Sequence, residues 1–205
     1  VTVCSHHVTP LFGMVFFIFP LIGMAIMDSC REKVVSFKEV TFKLFFKSFL
    51  KLFKRIALFG SSSLFLLIFC ILPYWINSKK NPITQVPIPH GSRDNFLEVT
   101  SSGLMFFLIP WGVLLFLLPY LFYRYYTKRY LFFGLSLTLL TILGTGGTTP
   151  IPLMLLGKNA FNILTLDRFT LWASIMSLPM FGEFIYRFIE GDLKETIQNR
   201  FGHVY

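Results

Sequence analysis

Charged residues are scarce in this sequence: Asp, Glu, Lys and Arg make up only 14% of its 205 residues. A water-soluble globular domain carries about 25% charged residues, so this chain has too few of them to cover a soluble particle. Hydrophobic residues account for 54% and aromatic residues for 18%, and the mean hydropathy is +0.65. The shortage of charge therefore excludes the soluble globular class and indicates an integral membrane protein.

Cysteine and acidic residues are also few. Cys4, Cys30 and Cys70 show no C-x-x-C spacing, and we interpret them as small packing residues rather than as ligands or disulfide partners. Ten acidic residues stand against 19 basic ones, which gives a net charge of +9. Because the bases flank long apolar runs, we expect them to set topology and to bind the headgroups of membrane lipid, and we expect no nucleic-acid partner.

Long apolar runs recur along the chain. A transmembrane helix needs about 20 mainly apolar residues, and the sequence predicts about five such helices, the fourth of them short. The predicted fold is therefore an all-α integral membrane protein with a single polytopic domain over residues 1–205. The predicted spans cover residues 8–27, 56–76, 104–123, 131–143 and 169–189.

The positions of Lys and Arg predict the orientation of these spans. Most bases lie between the first two spans, in the turn after the third span and after the fifth. The positive-inside rule places those loops in the cytoplasm and makes residues 78–103 and 144–168 extracytoplasmic loops. All spans then alternate without conflict, and we expect the protein to be integral to the plasma membrane.

Residues 33–55 show a helical pattern of lysines and aromatic residues. Lys43, Lys47, Lys51 and Lys54 share one helical face, and phenylalanines and leucines cover the rest. This pattern predicts an interfacial amphipathic helix with its lysines on lipid phosphates. The alternative is a helix that packs on a cytoplasmic protein partner.

Four polar stretches fall on the predicted outer face, at residues 5–7, 85–95, 144–152 and 166–168. Sequence distance separates them, but the predicted topology brings them to one membrane surface. No metal site is predicted among them. Their candidate site residues are His6, His7, His90, Arg93, Asp94, Gly144, Gly146, Gly147, Thr148, Thr149, Asp167 and Arg168.

The glycine-rich stretch at residues 144–150 is neither a Walker loop nor a Rossmann fingerprint, because no Gly-Lys-Ser/Thr follows it and no βαβ pattern surrounds it. Its glycines release backbone N–H groups from a helix, and these groups with the hydroxyls of Thr148 and Thr149 could hold a phosphate or sugar. A re-entrant segment is one interpretation of this stretch. A sharp turn between helices is the other.

The ionisable candidates each allow a functional and a structural interpretation. His6 and His7 are adjacent, so on a helix they point about 100° apart and only one of them could face a cavity. Arg93 suits bidentate contact with a phosphate, and Asp94 could be a base, a metal ligand or the ion-pair partner of Arg93. Asp167 fits the start of a helix as a cap as well as it fits a catalytic role.

Several of these strings resemble one family of membrane proteins. They are residues 6–13, Ser92-Arg93-Asp94-Asn95, the Gly-Thr-Gly-Gly-Thr-Thr-Pro of residues 144–150 and the Leu-Asp-Arg-Phe of residues 166–169. The chain resembles the membrane proteins labelled "6-pyruvoyl-tetrahydropterin synthase-related domain", which are similar to polytopic glycosyltransferases of the GT-C type. It has no three-histidine zinc pattern like that of the soluble pterin synthases.

The resemblance implies transfer of sugar from a polyprenyl-phosphate donor at the extracytoplasmic face, or a related role in making an envelope polysaccharide. It implies that Arg93, Arg168 and the glycine-rich turn contact the donor phosphate. His6, His7, His90, Asp94 and Asp167 are then the acceptor or acid–base candidates. Because GT-C enzymes carry an acid in an N-terminal outer loop, and the chain starts with Val1 close to its first apolar run, we expect a fragment of a longer protein.

Two other functions remain open at this point. Proline-interrupted spans and the intramembrane acid Glu183, which we expect to pair with Arg187 four residues later, are features of a transporter. A non-enzymatic scaffold that recruits a partner through residues 33–55 is the third hypothesis.

Overall fold

A computed structural model of the chain describes residues 12–31, 40–80, 89–192 and 194–195. Every regular element in these residues is helical, which confirms the predicted all-α class. Two single 3₁₀ turns, Gly91–Arg93 and Gly146–Thr148, lie between the helices. The helices are α1 (Met14–Arg31), α2 (Phe42–Lys80), α3 (Thr100–Tyr125), α4 (Leu131–Leu143), α5 (Ile151–Ile163) and α6 (Asp167–Ile189).

Within the described residues, α1, α2 and α3 are long and apolar enough to cross a membrane. Helices α4 and α5 have 13 residues each. That corresponds to about 20 Å at 1.5 Å per residue, against about 30 Å of hydrocarbon. Helix α6 has 23 residues but includes four charged ones. The membrane class therefore stands on three helices, and the five-span topology and the re-entrant segment stay predictions.

Helix α2 differs from the predicted arrangement. Its 39 residues form one continuous helix from Phe42 to Lys80, where the sequence predicted an interfacial helix ending at residue 55 and a separate span from residue 56. Residues 50–59 contain no proline or glycine, so nothing in this stretch interrupts the backbone hydrogen bonds of the helix. At 1.5 Å per residue the helix is about 58 Å long, which exceeds the hydrocarbon thickness. The first predicted residues of the amphipathic segment, 33–39, lie outside the described residues.

The chain divides into two compact units, residues 1–87 with 125–136 and residues 88–124 with 137–205. In the first unit, the hydroxyl of Ser136 donates to the carbonyl oxygen of Phe16 at 2.8 Å. The ring of Phe132, one turn earlier, lies so close to Gly23 that any side chain there would overlap it. Helix α1 and the start of α4 therefore run antiparallel, with glycine permitting the close approach.

In the second unit, α3 and α6 run in the same direction. Near the middle of both helices, the Ser174 hydroxyl donates to the Pro110 carbonyl at 2.8 Å. Towards their C-terminal ends, the side chain of Arg124 donates to that of Glu183. The predicted third and fifth spans require this shared direction. Phe169, Ala173 and Met176 of α6 are buried in the core of this unit.

One glycine in α3 and one in α5 depart from helical backbone angles. Gly112 has φ +49° and follows the Ile109–Trp111 segment, and Gly157 has φ +74° within α5. Residues other than glycine rarely adopt such angles, so these positions bend their helices. The break after Pro110 frees its carbonyl from the helix, and the Ser174 hydroxyl satisfies it.

Candidate functional site

Two of the predicted polar stretches meet through direct hydrogen bonds. The amide of Gly147 donates to the carbonyl of Asp94 at 3.1 Å. The amide of Phe96 donates to the hydroxyl of Thr148 at 2.9 Å. The loop around Gly91–Arg93 and the Gly146–Thr148 turn, about 50 residues apart in sequence, therefore form one structure.

The glycines of the Gly146–Thr148 turn permit this close approach. Gly146 has φ +61°, and a Cβ atom there would overlap the carbonyl of Ser92. A Cβ atom at Gly147 would overlap the carbonyl of Arg93. A residue larger than glycine at either position would push the two loops apart.

This arrangement corrects one expectation about the glycine amides. The N–H of Gly144 donates to Leu140 at 2.9 Å, and that of Gly147 donates to Asp94 at 3.1 Å. These two donors are therefore used within the protein and do not point at a ligand. The hydroxyl of Thr149 lies 3.0 Å from that of Thr145, and both threonines are half-buried.

The start of α6 joins the same cluster. The Nε of Arg93 donates to the carbonyl of Leu164 at 3.1 Å, and the amide of Leu166 donates to the hydroxyl of Ser92 at 2.9 Å. Three of the four predicted outer-face stretches are thus held together at the N-terminal ends of α3 and α6. The fourth, with His6 and His7, lies outside the described residues.

Two groups of Ser92 form hydrogen bonds with the ring of His90. The Ser92 side chain is fully buried, and its Oγ lies 2.8 Å from Nδ1 of His90. The amide of Ser92 also donates to Nδ1 at 3.2 Å. Because an amide can only donate, Nδ1 is the acceptor and the neutral ring carries its proton on Nε2. The half-buried ring packs on Phe106, with ring centres 5.1 Å apart.

The carboxylate of Asp94 has a hydrogen-bond partner that the sequence did not predict. The hydroxyl of Ser102, in the first turn of α3, donates to its Oδ2 at 2.7 Å. The next residue, Asn95, bonds to the side chain of Glu98 at 2.9 Å. The hydrogen bond to Ser102 fixes the Asp94 side chain beside the start of α3, where the helix dipole favours negative charge.

Asp167 is the first residue of α6, and Arg168 follows it, half-buried. The N-cap residue is Leu166, and Asp167 is the acid of the first turn, where the helix dipole favours negative charge. Its Oδ1 is shielded from solvent and has no hydrogen-bond partner among the described residues. Buried polar atoms of proteins are nearly always paired, so this oxygen is suited to accept a hydrogen bond from a bound molecule.

Sequence reasoning did not identify two residues of this region. Ser92 appeared only within a string, although its hydroxyl connects His90 to α6. Trp111 lies in an apolar run, and its indole Nε1 is buried without a partner in the described part of the chain. No sequence signal distinguishes Trp111 from a packing residue. Among the described residues, no group of three or more His, Cys, Asp or Glu side chains could hold a metal ion.

A second polar group occupies the other ends of α3 and α6. Arg124 forms a bidentate ion pair with Glu183, through Nε to Oε2 at 3.2 Å and through its Nη2 to Oε1. Arg187 lies 3.9 Å from the same carboxylate, as the spacing of four residues predicted. It also binds Asp192, and its Nη1 donates to the Tyr120 hydroxyl at 3.4 Å.

Comparisons with protein-family models, with curated proteins and with solved structures find no match to this chain. The resemblance described from the sequence therefore stays a prediction. The helices identify the chain as a polytopic membrane protein.

Proposed function

We propose that this chain is part of a membrane-embedded transferase that uses a lipid-linked sugar at the extracytoplasmic face. The observation that carries the proposal is the cluster formed by Ser92, Arg93 and Asp94 with the Gly146–Thr148 turn and the start of α6. Residues far apart in sequence converge there at one end of a helical unit. The resemblance to GT-C-like proteins supplies the chemistry assigned to this cluster.

The half-buried side chains of the cluster contain the groups that such a transfer needs. Arg93 and Arg168 supply positive charge for a phosphate of the donor, and Thr148 and Thr149 supply hydroxyls. His90, Asp94 and Asp167 are the candidates for binding or deprotonating an acceptor hydroxyl. Among the residues that the structure describes, the Oδ1 of Asp167 has no hydrogen-bond partner, which adds one acceptor at the start of α6.

Photoaffinity labelling tests this proposal directly. The full chain in detergent is irradiated with a polyprenyl-phosphate sugar that carries a photoreactive group near the phosphate, and labelled peptides are mapped by mass spectrometry. We expect label in peptides that contain residues 90–95, 145–149 or 164–168. Unlabelled polyprenyl phosphate should compete for the site.

Arg168→Gln is the test variant, because replacing Arg93 would remove the hydrogen bond to the Leu164 carbonyl. We expect Arg168→Gln to reduce labelling about tenfold, since a charge-assisted contact with phosphate contributes about 1.5–3 kcal/mol. Arg55→Gln, an exposed base on α2, is the matched control and should label normally. Label spread evenly over the apolar helices, or equal labelling of the two variants, would contradict the proposal.

A further inference from the structure

The first unit contains an apolar groove that the proposed function does not use. It has a volume of about 470 Å³ and lies where the end of α1 meets the starts of α2 and α4. Its lining includes Met27, Val40, Phe42, Phe45, Lys128 and Phe132. The volume is within the range of about 300–1,000 Å³ that is usual for small-molecule sites.

The floor of this groove is aromatic. The rings of Phe45 and Phe132 stack with centres 5.8 Å apart, and Phe132 is fixed from behind by its close approach to Gly23. At the mouth, Phe42 is 84% exposed and Leu131 38% exposed. Apolar surface of this kind is covered in a membrane protein by lipid or by another apolar group.

The charge at the rim indicates which apolar molecule fits. Lys128 is exposed and reaches the groove, with its Nζ 3.5 Å from the carbonyl of Val40. Lys43 follows Phe42 directly and is exposed, and it makes no ion pair within the described residues. None of the described residues that line the groove is acidic. An occupant with an apolar chain and an anionic head matches both properties.

The predicted position of the groove, at the cytoplasmic side of the membrane, also favours an anionic lipid. The helix ends that form it adjoin the two most basic loops, which the positive-inside rule places in the cytoplasm. Anionic phospholipids are enriched in the cytoplasmic leaflet, and each Lys near that surface strengthens their binding. We propose that the groove binds an acyl chain of an anionic phospholipid whose phosphate contacts Lys128. This site is independent of the proposed transferase.

Native mass spectrometry of the full chain in detergent tests the assignment, with dioleoyl phosphatidylglycerol and dioleoyl phosphatidylcholine as probes. We expect the wild-type protein to bind the anionic lipid about fivefold more tightly than the zwitterionic one. Lys128→Gln should abolish that preference, and Lys128→Arg should retain it. Thr41 also lines the groove, and Thr41→Trp, which fills it, should weaken the binding of both lipids.

Lys79→Gln is the matched control, because Lys79 is an exposed base at the opposite end of α2. It should bind both lipids as the wild-type protein does. Equal binding of the two lipids by the wild-type protein would overturn the proposal, as would a Lys128→Gln protein that keeps the preference. Displacement of the anionic lipid by inorganic phosphate would also overturn it, since the apolar groove would then have no part in binding. A co-purifying protein that blocks both lipids would show that the groove is instead a protein interface.

Discussion

The guanidinium of Arg124 donates two hydrogen bonds to the carboxylate of Glu183, which lies 59 residues later in the sequence. Both side chains are 29% exposed, so water screens the pair only in part. Arg187 approaches the same carboxylate from one turn further along α6. A single acid thus joins the C-terminal ends of two parallel helices and lies between two arginines.

Glu183→Gln should therefore destabilise the protein. The substitution removes the carboxylate that lies between Arg124 and Arg187, and we expect a loss of about 1–3 kcal/mol, which is smaller than for a fully buried pair. The thermal midpoint of the purified protein in detergent measures the effect. Glu190→Gln, at an exposed position just beyond α6, should leave the midpoint unchanged. Equal midpoints for the two variants would show that the Arg124 pair contributes nothing to stability.

The same variant separates the transferase from a transporter. Glu183 is engaged by Arg124 and Arg187, which gives it a structural role within the second unit. We expect Glu183→Gln protein that survives purification to retain photoaffinity labelling at the cluster. If proteoliposomes of the wild-type protein instead showed a solute flux that Glu183→Gln abolished at normal stability, the transporter hypothesis would replace the transferase.

Ser92→Ala should loosen the candidate site. The fully buried hydroxyl accepts from the Leu166 amide and contacts His90. Its removal leaves the Leu166 amide without this acceptor, whereas Nδ1 of His90 keeps the hydrogen bond from the Ser92 amide. We expect a loss of about 1–3 kcal/mol, measured as a lower thermal midpoint. Hydrogen exchange at the Leu166 amide should become faster. Ser101→Ala, at an exposed position in the first turn of α3, is the control, and a Ser92 variant that behaved like it would refute the bridging role.

Gly147→Ala and Gly182→Ala should have opposite effects. A methyl group at Gly147 would overlap the carbonyl of Arg93, whereas one at Gly182, within α6, meets nothing within 4 Å. We expect the first change to destabilise the protein and to reduce photoaffinity labelling. The second should be neutral or stabilising by up to about 1 kcal/mol, because alanine favours helix over glycine. Loss of labelling in both variants would mean that the probe responds to helix changes and not to loop packing.

The contribution of the Arg129–Asp28 ion pair to stability should depend on salt concentration but not on pH near neutrality. Two hydrogen bonds, of 2.8 and 2.9 Å, join the side chains, and the bond to Asp28 raises the pKa of Arg129. The stabilisation from a raised pKa is present below the unfolded pKa and is lost only as the pH rises through the folded value. Both values lie far above neutrality, so the contribution of Arg129 should be constant between about pH 6 and pH 9.

Arg129→Gln measures that contribution. Because the two side chains are 38% and 37% exposed, we expect a loss of only about 0.5–1 kcal/mol at low salt. The loss should shrink at about 1 M salt, where screening is strong. Arg55→Gln, which removes an exposed arginine without an ion pair in the described residues, should show no comparable change. A cost of Arg129→Gln that rose with salt would contradict the exposed-pair description.

Cysteine labelling from outside intact cells tests the predicted topology, in a background without the three native cysteines. The structure decides which positions are useful, because Ser92 and Ser48 are fully buried and would not react on either side. Glu98→Cys and Lys43→Cys are at exposed positions. We expect Glu98→Cys to label with an impermeant reagent and Lys43→Cys to label only after permeabilisation. The reverse pattern would place the polar cluster in the cytoplasm and remove the basis for an extracytoplasmic transferase.

The fold was predictable where it depends on composition and on charge near apolar runs. The all-α class followed from these features. The approach of Arg187 to Glu183 followed from their spacing of four residues, which places both on one side of a helix. The continuity of α2 did not, because the change from a lysine-rich to an apolar surface near residue 55 indicates a change of environment rather than a break in the helix. Each backbone N–H of a helix bonds to the carbonyl four residues earlier, whether the side chains face water, headgroups or hydrocarbon.

By itself, the sequence determined that the chain is a helical membrane protein, and it predicted that the polar stretches at residues 5–7, 85–95, 144–152 and 166–168 lie on one membrane surface. These conclusions rest on hydropathy and charge, which act locally along the chain. Only the tertiary structure decided which atoms meet: that Ser92 joins His90 to α6, that Gly147 donates to Asp94, and that Arg124 binds Glu183. Such pairings depend on distances of a few ångströms between helices, because a hydrogen bond tolerates little displacement.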